Sequence, residues 1–269
     1  MSLGAPWAQH ARGLACGLAC GLACGLACGL ARSLACGLWC ARTVSWLVLL
    51  VVILAAPTHA QDWASLAQFR AANAQLPAPV PNQPRVVFMG NSITESWAPL
   101  FPTQFPGKPY IGRGISGQTT PQMVLRFHQD VIALKPAVVV ILGGTNDIAG
   151  NTGPSTLEMI EDNLAAMTEM AQANGIRVVL CSVLPVLDYP WKRGLEPAPK
   201  IVALNQWMRQ FAASRGAVYL DLHSAMSDER QGMRAELASD GVHPNAAGYA
   251  IMASLLEPAI RDALARPPK

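Results

Sequence analysis

The sequence predicts an α/β protein, a parallel sheet sandwiched between two layers of helices. Three features point there. Short runs of apolar, mostly β-branched residues recur without the polar alternation of a half-exposed strand, which marks strands buried on both faces. Longer stretches of helical periodicity separate the runs, and alternating strands and helices build three-layer α/β/α domains. Polar, glycine-rich turns follow several runs, at the carboxyl ends of the strands where such sheets bind ligands. In chain order, Arg85–Met89 is the first strand, Pro109–Ile111 a weaker second, Thr120–Leu134 a helix, Ala137–Leu142 the third strand and Ser155–Asn174 a helix. Ile176–Val183 and Ala217–Leu220 supply the last strands, with Pro199–Arg215 a helix between them and Asn245–Ala265 a final helix. No break separates two cores, so residues 85–265 read as one domain.

The residues ahead of it are of another kind. Six of the seven cysteines sit in a repeat of Gly-Leu-Ala-Cys from Gly13 to Cys40. Its uniform period holds no His, Asp or Glu to complete a mixed metal site, and Gly stands where a lipid-attachment motif needs Leu. It reads as low-complexity sequence. Arg42, the apolar Val44–Ala56 and the small residues before Gln61 then form a secretory signal peptide. The apolar core falls short of the roughly 20 residues that span a bilayer as a helix; a membrane anchor would have to borrow length from the repeat. Residues 1–60 are thus repeat and signal peptide, and cleavage near Ala60–Gln61 predicts a secreted or periplasmic protein with no stable membrane insertion. Residues 61–84, rich in proline and with one helical piece near Trp63–Ala74, read as a lead-in.

Composition narrows the function classes. Apolar residues make up 51% of the 269, enough for a large core, and charged residues only 14%. After the signal peptide, basic and acidic residues are equal in number, and no basic run exceeds Lys192-Arg193, which argues against nucleic-acid binding. One thiol, Cys181, remains, so no internal disulfide can form.

The turn Gly112-Arg113-Gly114-Ile115-Ser116-Gly117 has the G-x-G-x-x-G spacing of dinucleotide sites. Such a site needs the glycines after the first strand and an acidic residue about 20 positions on, at the end of the next strand. Here the motif follows the second strand, and counting on reaches Asp130 inside a helix. The nucleotide reading fails on context, and Gly112 and Gly114 are taken to serve the turn.

Acyl transfer fits better. It needs a nucleophile, a base, an orienting acid and donors for an oxyanion. Ser92 lies in the first strand-to-helix turn, where its own N–H is free at a helix N-terminus. A serine hydroxyl needs an adjacent base. Of the three histidines beyond the signal peptide, His128 is expected on a helix surface and His223 as the cap of a turn, with the base as its lesser alternative. His243 precedes Pro244, which fits the first position of a helix. Asp240, three residues before it, can reach Nδ1 and leave Nε2 free for the serine proton. A capped loop without chemistry is the plainer reading of Asp240 and His243 alone. Gly117 offers an unobstructed N–H and Asn146 a side-chain amide, which with the Ser92 N–H gives three oxyanion donors.

The blocks FMGNSIT, RGISGQTT, GGTND and DGVHPNAAGY, in this order over about residues 85–260, resemble the SGNH (GDSL) hydrolase superfamily. The resemblance implies a flavodoxin-like sheet of order 2-1-3-4-5 and ester hydrolysis without a metal or other cofactor. It implies Ser92 as nucleophile, Asp240 and His243 as the acid–base pair, and Ser92, Gly117 and Asn146 as the oxyanion hole. The chain departs from the family with Asn91 in place of the usual Asp before the nucleophile, and with Gly112 where many members carry an Asn that tethers the second loop.

The forms of the first two blocks are similar to short-acyl members, platelet-activating-factor acetylhydrolase-like enzymes and carbohydrate acetylesterases. The expected substrate is a small-molecule or glycan ester, with Tyr189, Trp191, Lys192 and Arg193 as a candidate sugar-cleft wall. Trp97, after Ser92, carries the same two readings, wall or packing. The alternatives are a lysophospholipase or thioesterase-like enzyme with longer-acyl preference, and a glycan-binding protein without catalysis.

Overall fold

The computed structural model describes residues 62–268. The repeat, the signal-like segment and the Ala60–Gln61 junction lie outside the described residues. Five parallel strands, β1 (Val86–Gly90), β2 (Tyr110–Gly114), β3 (Val138–Leu142), β4 (Arg177–Cys181) and β5 (Val218–Leu220), form one sheet in the order β2-β1-β3-β4-β5. This is the expected three-layer, flavodoxin-like topology. Alternate side chains explain both apolar layers, because successive strand residues point to opposite faces. Val87 and Met89 of β1, with Val139 and Ile141 of β3, pack against α4 (Thr120–Asp130), α6 (Leu157–Ala173) and α7 (Pro197–Arg215). Val86 and Phe88, with Val138 and Val140, pack against α2 (Ser92–Trp97), α3 (Phe101–Gln104), α8 (Leu222–Met226) and α9 (Ala246–Ala265).

The weak second strand runs further than its pattern predicts, to Gly114. Both glycines lie in β2 itself, at the sheet edge, rather than in the turn. A Cβ on Gly112 would fall 2.3 Å from the Ala98 Cβ, and one on Gly114 2.2 Å from the Glu95 nitrogen. Reading them as turn residues is therefore corrected: they let the Ser92 helix lie directly on the edge strand. The predicted helix Thr120–Leu134 ends at Asp130, followed by a 3-10 turn, Ile132–Leu134, and by Lys135 in the left-handed region at φ 51°.

Register sets the rim. Gly90 is level with Gly114 on one side and Leu142 on the other. The turns after β1, β2 and β3 therefore leave the sheet together.

Residues 62–76 are laced to α4 and the turn before it by side-chain amides reaching backbone carbonyls. Gln118 donates to Ala64 at 2.8 Å, Gln122 to Trp63, and Gln129 to Leu66 at 2.7 Å. In α1 (Arg70–Ala74), Asn73 donates to Asp130 and accepts from Arg113, whose guanidinium lies 4.8 Å above the Phe69 ring.

Candidate active site

Ser92 is the first residue of α2, and Asn91 caps that helix, its side-chain oxygen accepting the Ile93 N–H at 3.3 Å. Asn thus does the capping that the family's Asp would do, since either side chain satisfies an orphan N–H of the first turn. Ser92 Oγ lies 2.9 Å from His243 Nε2. His243 Nδ1 lies 2.6 Å from Asp240 Oδ2. With Nδ1–H donating to the carboxylate, Nε2 presents its lone pair to the serine hydroxyl.

The Asp240 turn closes on itself. Oδ1 accepts the N–H groups of Val242 at 2.9 Å and His243 at 2.7 Å. Burial works to raise the Asp240 carboxyl, but the bonds from the His243 ring and these two N–H groups outweigh it and hold the group below the usual carboxylate range. Pro244 is not the first residue of α9. Asn245 is the cap, its side chain accepting from Ala247 and Gly248, and the helix begins at Ala246. Pro244 instead makes a bridge to Ala238, and the Asn245 N–H donates to Leu237 O at 2.7 Å, so the His243 loop is pinned just ahead of the helix. The helix is fixed to the serine's helix in turn: Tyr249 Oη donates to Ile93 O at 2.9 Å, and its ring stacks 5.9 Å from Trp97.

The residues expected to supply oxyanion donors lie in the other turns. Gly117 sits at φ 75°, where glycine costs no strain, and a Cβ there would meet no atom within 4 Å. Its N–H donates to no acceptor among the described residues. Asn146, in α5 (Thr145–Ile148), spends one amide hydrogen on the Gln118 carbonyl at 2.9 Å, which leaves the second for a ligand. Beside it, the Asp147 carboxylate accepts from Thr120 N at 2.9 Å and from Thr120 Oγ1, locking the third turn to the start of α4. Burial raises the Asp147 carboxyl against these bonds.

The other sequence candidates separate. His128 is exposed, as expected. His223 caps nothing: Asp221 caps α8, accepting from Ser224 N at 2.9 Å, because an aspartate oxygen reaches that N–H as an imidazole does not. His223 is buried, which lowers its pKa against the pull of Asp221. Trp97 is 1% exposed within an aromatic cluster with Phe88, Phe101 and Phe105, so it is core. Tyr189 is also buried, its hydroxyl donating to Thr145 O at 2.9 Å. Trp191 is 45% exposed and its ring lies 6.1 Å from the His243 ring.

Two participants escape sequence reading. Asn151 accepts from Trp191 Nε1 at 3.2 Å and donates to Gly117 O at 3.3 Å. Glu95 accepts from Ser116 N at 2.9 Å and from its hydroxyl. These supply tethers for the second loop, which lacks the family's Asn at Gly112. Neither residue belongs to a motif; the only signal for Glu95 is its place one helical turn after Ser92.

Residues 88–251 match the GDSL-like lipase/acylhydrolase family. A GDSL-like lipase from Bacteroides thetaiotaomicron is 44% identical with a TM-score of 0.72, covering 74% of this chain and 98% of that one. An acylhydrolase structure from Bacteroides fragilis is 42% identical with a TM-score of 0.74, covering 76% and 100%. Among curated proteins, an acetylxylan esterase of Xylanibacter ruminicola is 27% identical over 222 residues, 69% of this chain. The chain spans 45% of that relative's length.

Proposed function

The chain belongs to the GDSL-like lipase/acylhydrolase family, and on that premise we propose that it is an exported serine esterase hydrolysing short-chain, acetyl-type esters of carbohydrates. The single observation that carries the reading is the chain of contacts Ser92 Oγ to His243 Nε2 and His243 Nδ1 to Asp240, at 2.9 and 2.6 Å. Both distances suit a nucleophile paired with its base and the base with its orienter.

In the first step Ser92 Oγ bonds to the ester carbonyl carbon while His243 Nε2 takes the hydroxyl proton. The carbonyl oxygen becomes an oxyanion met by the N–H groups of Ser92 and Gly117 and the free hydrogen of the Asn146 amide. The carbon–oxygen bond to the alcohol breaks, and His243 returns the proton to that alcohol. In the second step His243 takes a proton from water, the hydroxide bonds to the acyl carbon, and Ser92 leaves with the proton as the acid departs. Asp240 stabilises the imidazolium formed in each step.

The carbohydrate assignment rests on Trp191, an exposed ring beside the histidine that protonates the leaving alcohol, and on the acetylxylan esterase relative. Export rests on the signal-like residues before Gln61, with residues 85–265 as the hydrolase domain. Among the described residues, no helix is long and apolar enough to cross a membrane.

The test has three arms. Wild type should hydrolyse p-nitrophenyl acetate and Ser92→Ala should not; equal rates would defeat the serine assignment. A series of esters from acetyl to palmitoyl should favour the shortest; a preference for long chains would make it a lysophospholipase or thioesterase-like enzyme. Acetate should be released from acetylated xylan, and mass spectrometry of the exported protein should find Gln61 at its N-terminus.

A further inference from the structure

The turn Ser116–Gln118 has no regular structure of its own, yet the aim of its N–H decides how well a developing oxyanion is met. Gln118 is the residue that ties this turn inward. It is 2% exposed, and its two polar ends go to different parts of the chain. Its Oε1 accepts from Arg126 Nε at 2.6 Å, and its Nε2 donates to the Ala64 carbonyl at 2.8 Å. Its backbone carbonyl accepts the Asn146 amide at 2.9 Å. Arg126, fully buried, also donates to the Gly90 carbonyl at 2.8 Å, at the end of the strand that leads into Ser92, and pairs with Asp130 at 3.3 Å.

The side chain at position 118 therefore has to accept at one end and donate at the other. Glutamine does both while staying neutral. A carboxylate would satisfy Arg126 but set an acceptor against the Ala64 carbonyl. An apolar side chain would leave a buried guanidinium N–H and a buried carbonyl without partners, which strains the site from both sides. The same residue lies next to Gly117 and holds Asn146, so one anchor serves two donors.

We infer that Gln118 is a positioning residue for the oxyanion donors Gly117 and Asn146, and that the segment around Ala64, ahead of the first strand, is the bracket that holds it. The lead-in is then part of the catalytic apparatus. This rests on the esterase reading of Ser92, His243 and Asn146.

The test is a double-mutant cycle in the full chain with p-nitrophenyl acetate. Gln118→Met, close in volume, should lower kcat about 10-fold with KM within about twofold, less than the 10²–10³ for loss of a whole donor. Gln118→Glu, which keeps the Arg126 contact and so guards against a folding defect, should lower kcat in the same way. In an Asn146→Ala background the Gln118→Met loss should shrink to about threefold, because the share acting through Asn146 is gone while the share acting through Gly117 remains. A Gln118→Glu enzyme as fast as wild type, or losses that simply multiply in the double variant, would overturn the inference while leaving the esterase reading intact. A wild-type enzyme without turnover would overturn the esterase reading, and this inference with it.

Discussion

The Asp240–His243 turn and the Ser116–Gln118 turn are both held against the strand–helix unit that carries Ser92, but the chain builds them in opposite ways. The first is local. One carboxylate takes two backbone N–H groups and one ring N–H from residues at most three positions away. The second is assembled from afar. Besides Arg126, eight positions on, its partners are Glu95, Asn146, Asn151 and Ala64, at sequence separations of 21, 28, 34 and 54. A local turn concentrates its function in a few atoms, so losing one should be close to total. A distributed turn shares its function among several anchors, so losing one should be graded.

Breaking that contrast starts with the serine itself. Ser92→Ala should reduce kcat by about 10⁵–10⁶-fold with unchanged secondary structure, as for other serine hydrolases stripped of the nucleophile. On the local side, Asp240→Asn should cost about 10⁴-fold, since the neutral side chain no longer holds the imidazole in its productive tautomer. On the distributed side, Asn146→Ala should cost only about 10²–10³-fold. Steady-state kinetics on p-nitrophenyl acetate measures all three; an Asn146 effect as large as that of Asp240 would erase the distinction.

Smaller effects sharpen it. Trp191→Ala should raise KM for acetylated xylo-oligosaccharides about fivefold, the worth of roughly 1 kcal/mol of apolar contact, and leave ethyl acetate unaffected. An equal effect on both substrates would make Trp191 a support for His243 rather than a sugar platform. The Asp240 carboxyl is held below the usual carboxylate range, so its contribution to stability is complete above that range and is lost as pH falls through its depressed native value. The melting temperatures of wild type and Asp240→Asn should therefore differ at neutral pH and converge in strong acid. A gap that persists in acid would show that the carboxylate's charge is not what stabilises the turn.

The contrast also explains what could be read from the residues. Asp240 and His243 are legible because a carboxylate three positions before a histidine makes the turn by itself. Ser92 and Asn146 are legible because each follows a buried apolar run, Gly117 because it follows the weaker second run in a glycine-rich block, and the sheet order follows once the blocks are recognised together. The roles of Glu95, Asn151 and Gln118 are not legible, even though Gln118 stands in the block RGISGQTT, since their partners are brought close only by the finished fold. The same limit hid the work of Gly112 and Gly114: spacing suggested a turn, whereas the need is for the Ser92 helix to touch the edge strand. Pro244 misled because a proline suits a helix start, yet the Asn245 side chain, bonding two N–H groups, fixes the start one residue beyond itself.

The central claim, that the hydroxyl beside the His243 ring carries the acyl group, is tested most directly by trapping the intermediate. Wild-type protein quenched in acid during turnover of p-nitrophenyl acetate should carry one acetyl group, and peptide mapping should place it on Ser92. Steady turnover with no covalent acetyl, or with the acetyl on another side chain, would contradict the account.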